Sequence, residues 1–277
     1  MLSSAPTAPT ALSKTIKPVD LSKLQGQAKQ AAVLRLLAVS GLVPLADLSA
    51  LFFPDSPDYG RQFFKVMAQE GGLIGFVKLG KRLAYHLGKA GEEELKKQSK
   101  NKSNDKKIQP FILPEERLWE HAALVGSLGA RFCALAARKG FALEMERESE
   151  WRGVRPDLCV RWIDGSPTND SDPNHSNHAN LVLVEADRGT ESRATFIAQK
   201  LVPYEHALKM WAGKEALRLL VVVPGETRGE ELREAAREFP SVAEALRFVV
   251  MGEWSVSADI TRAPIFHRIA QKGLVWG

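Results

Sequence analysis

Residues 56–87 read SPDYGRQFFKVMAQEGGLIGFVKLGKRLAYHL. Ser56-Pro57-Asp58 is a helix start: a hydroxyl cap precedes proline at the first helical position, where a missing N–H costs nothing. The helix predicted from Pro57 to about Gln69 turns some of Phe63, Phe64, Val66 and Met67 inward. Arg61, Lys65 and Gln69, at i, i+4 and i+8, form one polar stripe, with Gln62 beside it. Gly71-Gly72 ends the helix. LIGFVKL and RLAYHL then read as two strands around Gly80-Lys81. Upstream, Ala28–Ser40 is apolar at helical spacing (Val33, Leu34, Leu36, Leu37) and stops at Gly41, and Leu45–Phe52 is a short second helix. Three helices followed by a hairpin predict a winged helix-turn-helix over residues 27–91. In that fold the third helix fits a major groove, where Arg61, Gln62, Lys65 and Gln69 reach base edges or phosphates. Lys78, Lys81 and Arg82 on the wing meet an adjacent backbone. The same fold also serves dimerisation and protein docking, with the third helix merely solvated.

Charge favours the first of these. Residues 1–110 hold 17 Lys/Arg against 9 Asp/Glu, a net of +8, whereas residues 111–277 hold 21 against 24, a net of −3. A basic block attracts polyanions by releasing their counterions. The chain of 277 residues has room for two small domains. Residues 1–26 read as a disordered tail without the charged start and apolar block of a secretory signal. Residues 92–110, EEELKKQSKNKSNDKKIQP, with six lysines and no aromatic residue, read as a linker. No apolar run approaches the roughly 18 residues that span a bilayer, so no membrane partner is expected. Cys133 and Cys159, far apart in apolar contexts, suggest reduced core thiols in the cytoplasm.

From residue 111 to 277 the pattern is helix (Pro114–Lys139), three strands (Phe141–Glu148, Pro156–Ile163, Leu181–Asp187), helix (Ala194–Trp211), strand (Leu217–Val223), helix (Glu226–Phe239) and strand (Leu246–Met251). Strands mixed with crossover helices predict an α/β (α+β) body around a mixed sheet. Residues 165–180, almost all turn formers, read as a long loop. His175 and His178 within it lack a second ligand pair and are read as solvated.

The acids stand where chemistry is done. Asp157 opens the second strand of this body. Glu185 and Asp187 end the third and, two apart, share a face. Lys200 lies one to two turns into the next helix. Asp157, Glu185, Asp187 and Lys200 are the candidate catalytic group. Asp157 and Glu185 would be the ligands of a Mg²⁺ ion, which prefers hard oxygen donors and shares its shell with phosphate. The plainer reading makes these acids strand-end residues with local partners. Tyr204, one turn beyond Lys200, orients that lysine or simply packs. His121 faces the sheet or the site. Thr190 or Ser192 is read as a helix cap.

Pro156-Asp157 and Glu185-x-Asp187 within an α-β-β-β-α-β core resemble the PD-(D/E)XK nuclease superfamily. That pattern expects lysine where this chain has Asp187, and Lys200 from the following helix is the candidate substitute. Glu120, Glu148 and Glu150 stay open as the first-motif acid. A wider resemblance runs over about residues 28–251. It comprises LGKAG at 87–91, WEHAALVGSLGARF from Trp119, the EMERESEW segment, RPD at 155–157, VEADRGTES at 184–192 and KLVPYEHAL at 200–208. These landmarks are similar to the bacterial replication-relaxation family of mobilisable plasmids and integrative elements. The resemblance implies a DNA-binding accessory of replication or relaxation, with double-stranded DNA and a relaxase or other transfer proteins as partners. An active metal-dependent endonuclease and a winged-helix transcriptional regulator are the other two readings. Oligomeric state is not legible.

Overall fold

Alternating apolar residues in NLVLVEA and ALRLLVVV build the centre of the fold. The computed structural model describes residues 15–16, 20–69, 71–100, 111–139, 142–163, 180–211 and 216–250. Strands β7 (Asn180–Ala186) and β8 (Ala216–Val223) pair in parallel. Because side chains alternate across a strand, Leu181, Leu183, Val221 and Val223 enter one core, while Val182, Val184, Ala186, Leu220 and Val222 enter another. Both faces are covered, as parallel pairing requires. On the first lie α7 (Val202–Lys209), α8 (Glu226–Ala236) and α9 (Pro240–Ala245), through Tyr204, Leu232 and Val242. On the second lies α5 (Trp119–Lys139), through Val125, Leu128 and Phe132.

The fold is α/β. The main sheet has the order β1-β5-β6-β7-β8-β9. Its members beyond the central pair are β1 (Thr15–Ile16), β5 (Ala142–Arg147), β6 (Leu158–Ile163) and β9 (Leu246–Val250). β1, β5, β6 and β7 pair antiparallel in sequence along the sheet, and β9 joins β8 in parallel. Ahead of it come α1 (Gly26–Ser40), β2 (Val43–Pro44), α2 (Leu45–Phe52), α3 (Pro57–Gln69) and the hairpin β3 (Ile74–Leu79) and β4 (Arg82–Leu87). β2 adds a third strand to the hairpin, in the order β2-β4-β3. Gly41 ends α1 at φ 79°, a conformation that costs glycine nothing.

The basic head and the acidic body share one core. Val33, Leu37, Phe52 and Phe64 belong to the same buried cluster as Leu128, Phe132, Leu143 and Val184. The two approach closely at Gly126, where a Cβ would run into the Leu42 carbonyl. A buried ion pair, Asp47 with Arg131 at 3.4 Å, ties α2 to α5, and Arg147 of β5 donates to the Ser40 carbonyl at 3.2 Å.

Several segments depart from the sequence reading. Residues 89–100, assigned in large part to the linker, form a helix, α4 (Lys89–Lys100), because a single apolar residue, Leu95, finds a buried seat; residues 101–110 lie outside the described residues. Within the expected tail, Thr15–Ile16 pairs with β5, and Leu21–Lys23 is a 3₁₀ turn whose Ser22 carbonyl accepts from Lys29 Nζ. The last predicted helix, Glu226–Phe239, is α8 and ends at Ala236, and a further helix absent from the sequence reading, α9, starts at Pro240, the first-turn position proline favours. The helix after β7 is not uniform either. α6 (Arg193–Phe196) passes through a π-turn, Ile197–Leu201, into α7, whose second residue is Pro203. Proline cannot donate to the carbonyl a turn earlier, and a π-bulge absorbs the gap. His175 and His178 lie outside the described residues. Among those residues, no helix is long and apolar enough to cross a membrane.

Candidate functional site

Leu158 of β6 pairs with Val184 of β7, so Asp157 and Glu185 stand opposite one another at the end of the two strands. The start of α5 brings His121 to Asp157, and the π-turn brings Lys200 to Glu185. Together they line a cavity of about 260 Å³ with Asp187, Arg188, Thr190, Glu191, Leu118 and Phe196.

Within it the carboxylates are the inner groups. The Glu185 side chain is 3 % exposed and that of Asp157 16 %, against 26 % for Lys200 and 31 % for His121. Each carboxylate oxygen has a donor. Asp157 Oδ1 faces His121 Nε2 at 3.1 Å, and its Oδ2 accepts the Ala186 N–H at 2.7 Å. Glu185 Oε1 accepts from the Tyr204 hydroxyl and Oε2 from Lys200 Nζ, both at 2.6 Å. Lys200 and Tyr204 are four residues apart across the π-turn and α7, so one helix face supplies both donors.

These contacts set the protonation states. The hydrogen bond to Asp157 raises the His121 pKa against the opposing effect of burial. Asp157 is pushed up by burial, but His121, Lys200 and the Ala186 N–H outweigh that and leave its carboxyl below the ordinary range. Glu185 moves the other way. Burial first, then the neighbouring Asp157 charge, push it up to about 7 in spite of Lys200 and Tyr204. The cavity therefore holds an imidazole whose affinity for its proton is raised, a lysine, and a carboxyl that exchanges its proton near neutrality.

Of the expected catalytic group, Asp157, Glu185 and Lys200 are brought together. Asp187 reaches the rim, but its oxygens accept from Arg228 Nε and the Gly189 N–H, both at 2.7 Å. Arg228 is a partner the sequence reading did not name; it lies 41 residues further on, and no local pattern links the two. Thr190 is exposed; Ser192, not Thr190, caps α6, accepting the Thr195 N–H at 3.1 Å. Of the alternative first-motif acids, Glu120 is held by Arg82 outside the trio, while Glu148 and Glu150 are not among the cavity residues.

The donor set does not fit a divalent cation as it stands. Mg²⁺ needs oxygens open to it, whereas all four oxygens of Asp157 and Glu185 already accept hydrogen bonds, and an ammonium occupies the place beside Glu185. Among the described residues, no group of three or more His, Cys, Asp or Glu is placed to hold a metal ion.

The head presents a second candidate surface. Phe64 and Met67 of α3 are buried, and Arg61, Gln62, Lys65 and Gln69 are exposed on the opposite face. Lys78, Lys81 and Arg82 are exposed on the hairpin. Arg61 pairs with Asp58 at 3.0 Å, both largely solvated. Arg82 pairs with Glu120 at 2.7 Å, so the hairpin meets the first turn of α5, the turn that also carries His121.

A family model described as Replication-relaxation matches residues 34–216, which is 183 of the 277 residues. The match takes in most of the head, all of α5, and every residue of the cavity. No curated protein and no solved structure matches the chain.

Proposed function

The chain belongs to the replication-relaxation family, and from that membership we propose that it is a DNA-binding accessory protein of plasmid or mobile-element replication, relaxation and mobilisation. Its head is read as a winged helix-turn-helix that grips duplex DNA. The observation that carries this reading is the two-sided α3. One face is locked into the core by Phe64 and Met67, and the other offers Arg61, Gln62, Lys65 and Gln69 to solvent, next to a hairpin whose tip bears Lys78 and Lys81. A rigid helix of that make-up suits a major groove, and a basic hairpin beside it suits the neighbouring phosphates. A relaxase or another replication or transfer protein is the expected partner on the same DNA.

The test is duplex binding by the full chain, followed by fluorescence anisotropy, with Arg61→Ala/Lys65→Ala as the variant. Both side chains are exposed, so the fold should survive, and affinity should fall at least tenfold. A variant that binds as tightly as the parent would remove α3 from the interface.

The meeting of Asp157, Glu185 and Lys200 in one cavity favours a second reading, a metal-dependent endonuclease of the PD-(D/E)XK type. It would require a cation to displace Lys200 from Glu185. Nicking of supercoiled DNA under Mg²⁺ or Mn²⁺ that disappears in Asp157→Ala would establish it. No nicking under either ion would leave binding alone.

A further inference from the structure

We propose that the cavity at the ends of β6 and β7 is a metal-free oxyanion site, which takes a phosphate group on Lys200 and His121. The argument is a count of hydrogen-bonding capacity. A lysine ammonium has three N–H donors, and an imidazole has one when neutral and two when it carries its second proton, the form that Asp157 favours. Lys200 spends one on Glu185, and His121 spends Nε2 on Asp157. Among the described residues, the other donors of these two groups have no partner, and both side chains are part-exposed and line the cavity. Each oxygen of Asp157 and Glu185 already accepts one hydrogen bond. A ligand that brings acceptors therefore pairs with the donors left over on Lys200 and His121.

The negative charges of the cavity do not forbid an anion, because each inner acid has its own cation. Asp157 has His121, Glu185 has Lys200, and Asp187 has Arg228; Glu191, the remaining acid of the lining, is exposed at the rim along with the oppositely charged Arg188. At the rim, the Thr190 hydroxyl and the Arg188 guanidinium add donors, and Leu118 and Phe196 supply apolar walls against which a sugar can lie. Lys200 thus occupies the position beside Glu185 that a cation would take, and its remaining donors substitute for the positive charge a cation would present to a phosphate.

The phosphate could be a diester of the DNA held by the head or free phosphate. The Arg82–Glu120 pair joins the hairpin to the first turn of α5, which carries His121, so DNA held at the hairpin would lie at the end of α5 nearer the cavity. Only the DNA source rests on the proposed function; the oxyanion site does not.

The experiment records the imidazole resonances of His121 in the full chain during separate titrations with inorganic phosphate, a short duplex and MgCl₂. Inorganic phosphate should shift them saturably. Lys200→Met should weaken that effect about tenfold, as loss of one charge-assisted hydrogen bond implies, and Lys200→Arg should retain most of it. His121→Asn, at a part-exposed position, is a second variant that leaves every buried group in place; in it the phosphate dependence, followed by calorimetry, should weaken similarly. MgCl₂ alone should leave the resonances unmoved. A shift with duplex that is lost in Arg61→Ala/Lys65→Ala, while the phosphate shift persists, identifies DNA as the source. A phosphate shift with no duplex shift identifies free phosphate. No response to phosphate, or a saturable response to MgCl₂ alone, overturns the proposal, and neither result bears on duplex binding by the head.

Discussion

Replacing Asp47 by alanine should cost about 3–5 kcal/mol of stability, the usual penalty for removing one member of a buried ion pair. Its partner Arg131 is 2 % exposed and Asp47 itself 1 %, with 3.4 Å between them. Burial dominates both members. It pushes the Asp47 carboxyl up and the Arg131 guanidinium down, and in each case it outweighs the attraction of the partner. An attraction too weak to offset desolvation makes the pair a poor source of stability when intact and a large loss when halved. Asp47→Leu/Arg131→Met should therefore recover the loss and end within about 1 kcal/mol of the parent or above it. A raised carboxyl pKa also means that the native state holds the proton more tightly than the unfolded chain. The Asp47 contribution is then largest below the ordinary carboxyl value of about 3.9 and declines as pH rises through the folded value. Urea unfolding at fixed pH of the parent, Asp47→Leu, Arg131→Met and the double variant measures the coupling directly. Because α2 and α5 share one core, every member should unfold in a single transition. A single-site loss under about 1 kcal/mol, or an apolar pair as unstable as Asp47→Ala, would refute the reasoning.

Three further outcomes follow from the site. His121 should titrate above the free imidazole value of about 6.5, because Asp157 holds its proton. Its contribution to stability is complete below that value and lost as pH rises through the raised one, and Asp157→Asn should return it to the ordinary range or below; NMR titration of the imidazole reads both. Tyr204→Phe removes the donor to Glu185 Oε1 and should cost about 1–3 kcal/mol. The loss should be concentrated above pH 7, since Glu185, raised to about 7, is protonated below that; equal losses at acid and alkaline pH in denaturant melts would contradict it. Glu120→Gln frees Arg82 from a solvated pair that contributes under about 1 kcal/mol to stability. Tm should stay put while duplex affinity rises a few-fold, and a lower affinity would mean that Arg82 does not face DNA.

The parts of the fold legible in the sequence are those fixed by local chemistry. Ser56-Pro57 starts α3 and Gly80-Lys81 turns the hairpin, and neither needs a distant partner to be recognised. The alternation in LVLVEA marks a strand covered on both faces wherever the chain then goes. α4 was hidden because its lysines and glutamates read as linker, while the one residue that matters, Leu95, is useful only once α1 is beside it. The two-residue strands β1 and β2 carry no pattern of their own. At the site, Asp157 and Glu185 were legible as strand-end acids, and Lys200 as the lysine of the following helix. The pairing of His121 with Asp157 and of Arg228 with Asp187 depends on how α5 and α8 dock, which no spacing encodes. The π-turn that sets Lys200 and Tyr204 on Glu185 follows from Pro203, a cue visible in the sequence but ambiguous without the carbonyl it leaves unbonded.

The account stands on a basic helix and hairpin meeting phosphates, and the salt dependence of duplex affinity measures that most directly. With Arg61, Lys65, Lys78 and Lys81 each neutralising a phosphate, the slope of log K against log salt should be about −4 for the parent, and about 2 shallower in Arg61→Ala/Lys65→Ala. An affinity that does not change with salt, or the same slope in both proteins, would contradict it.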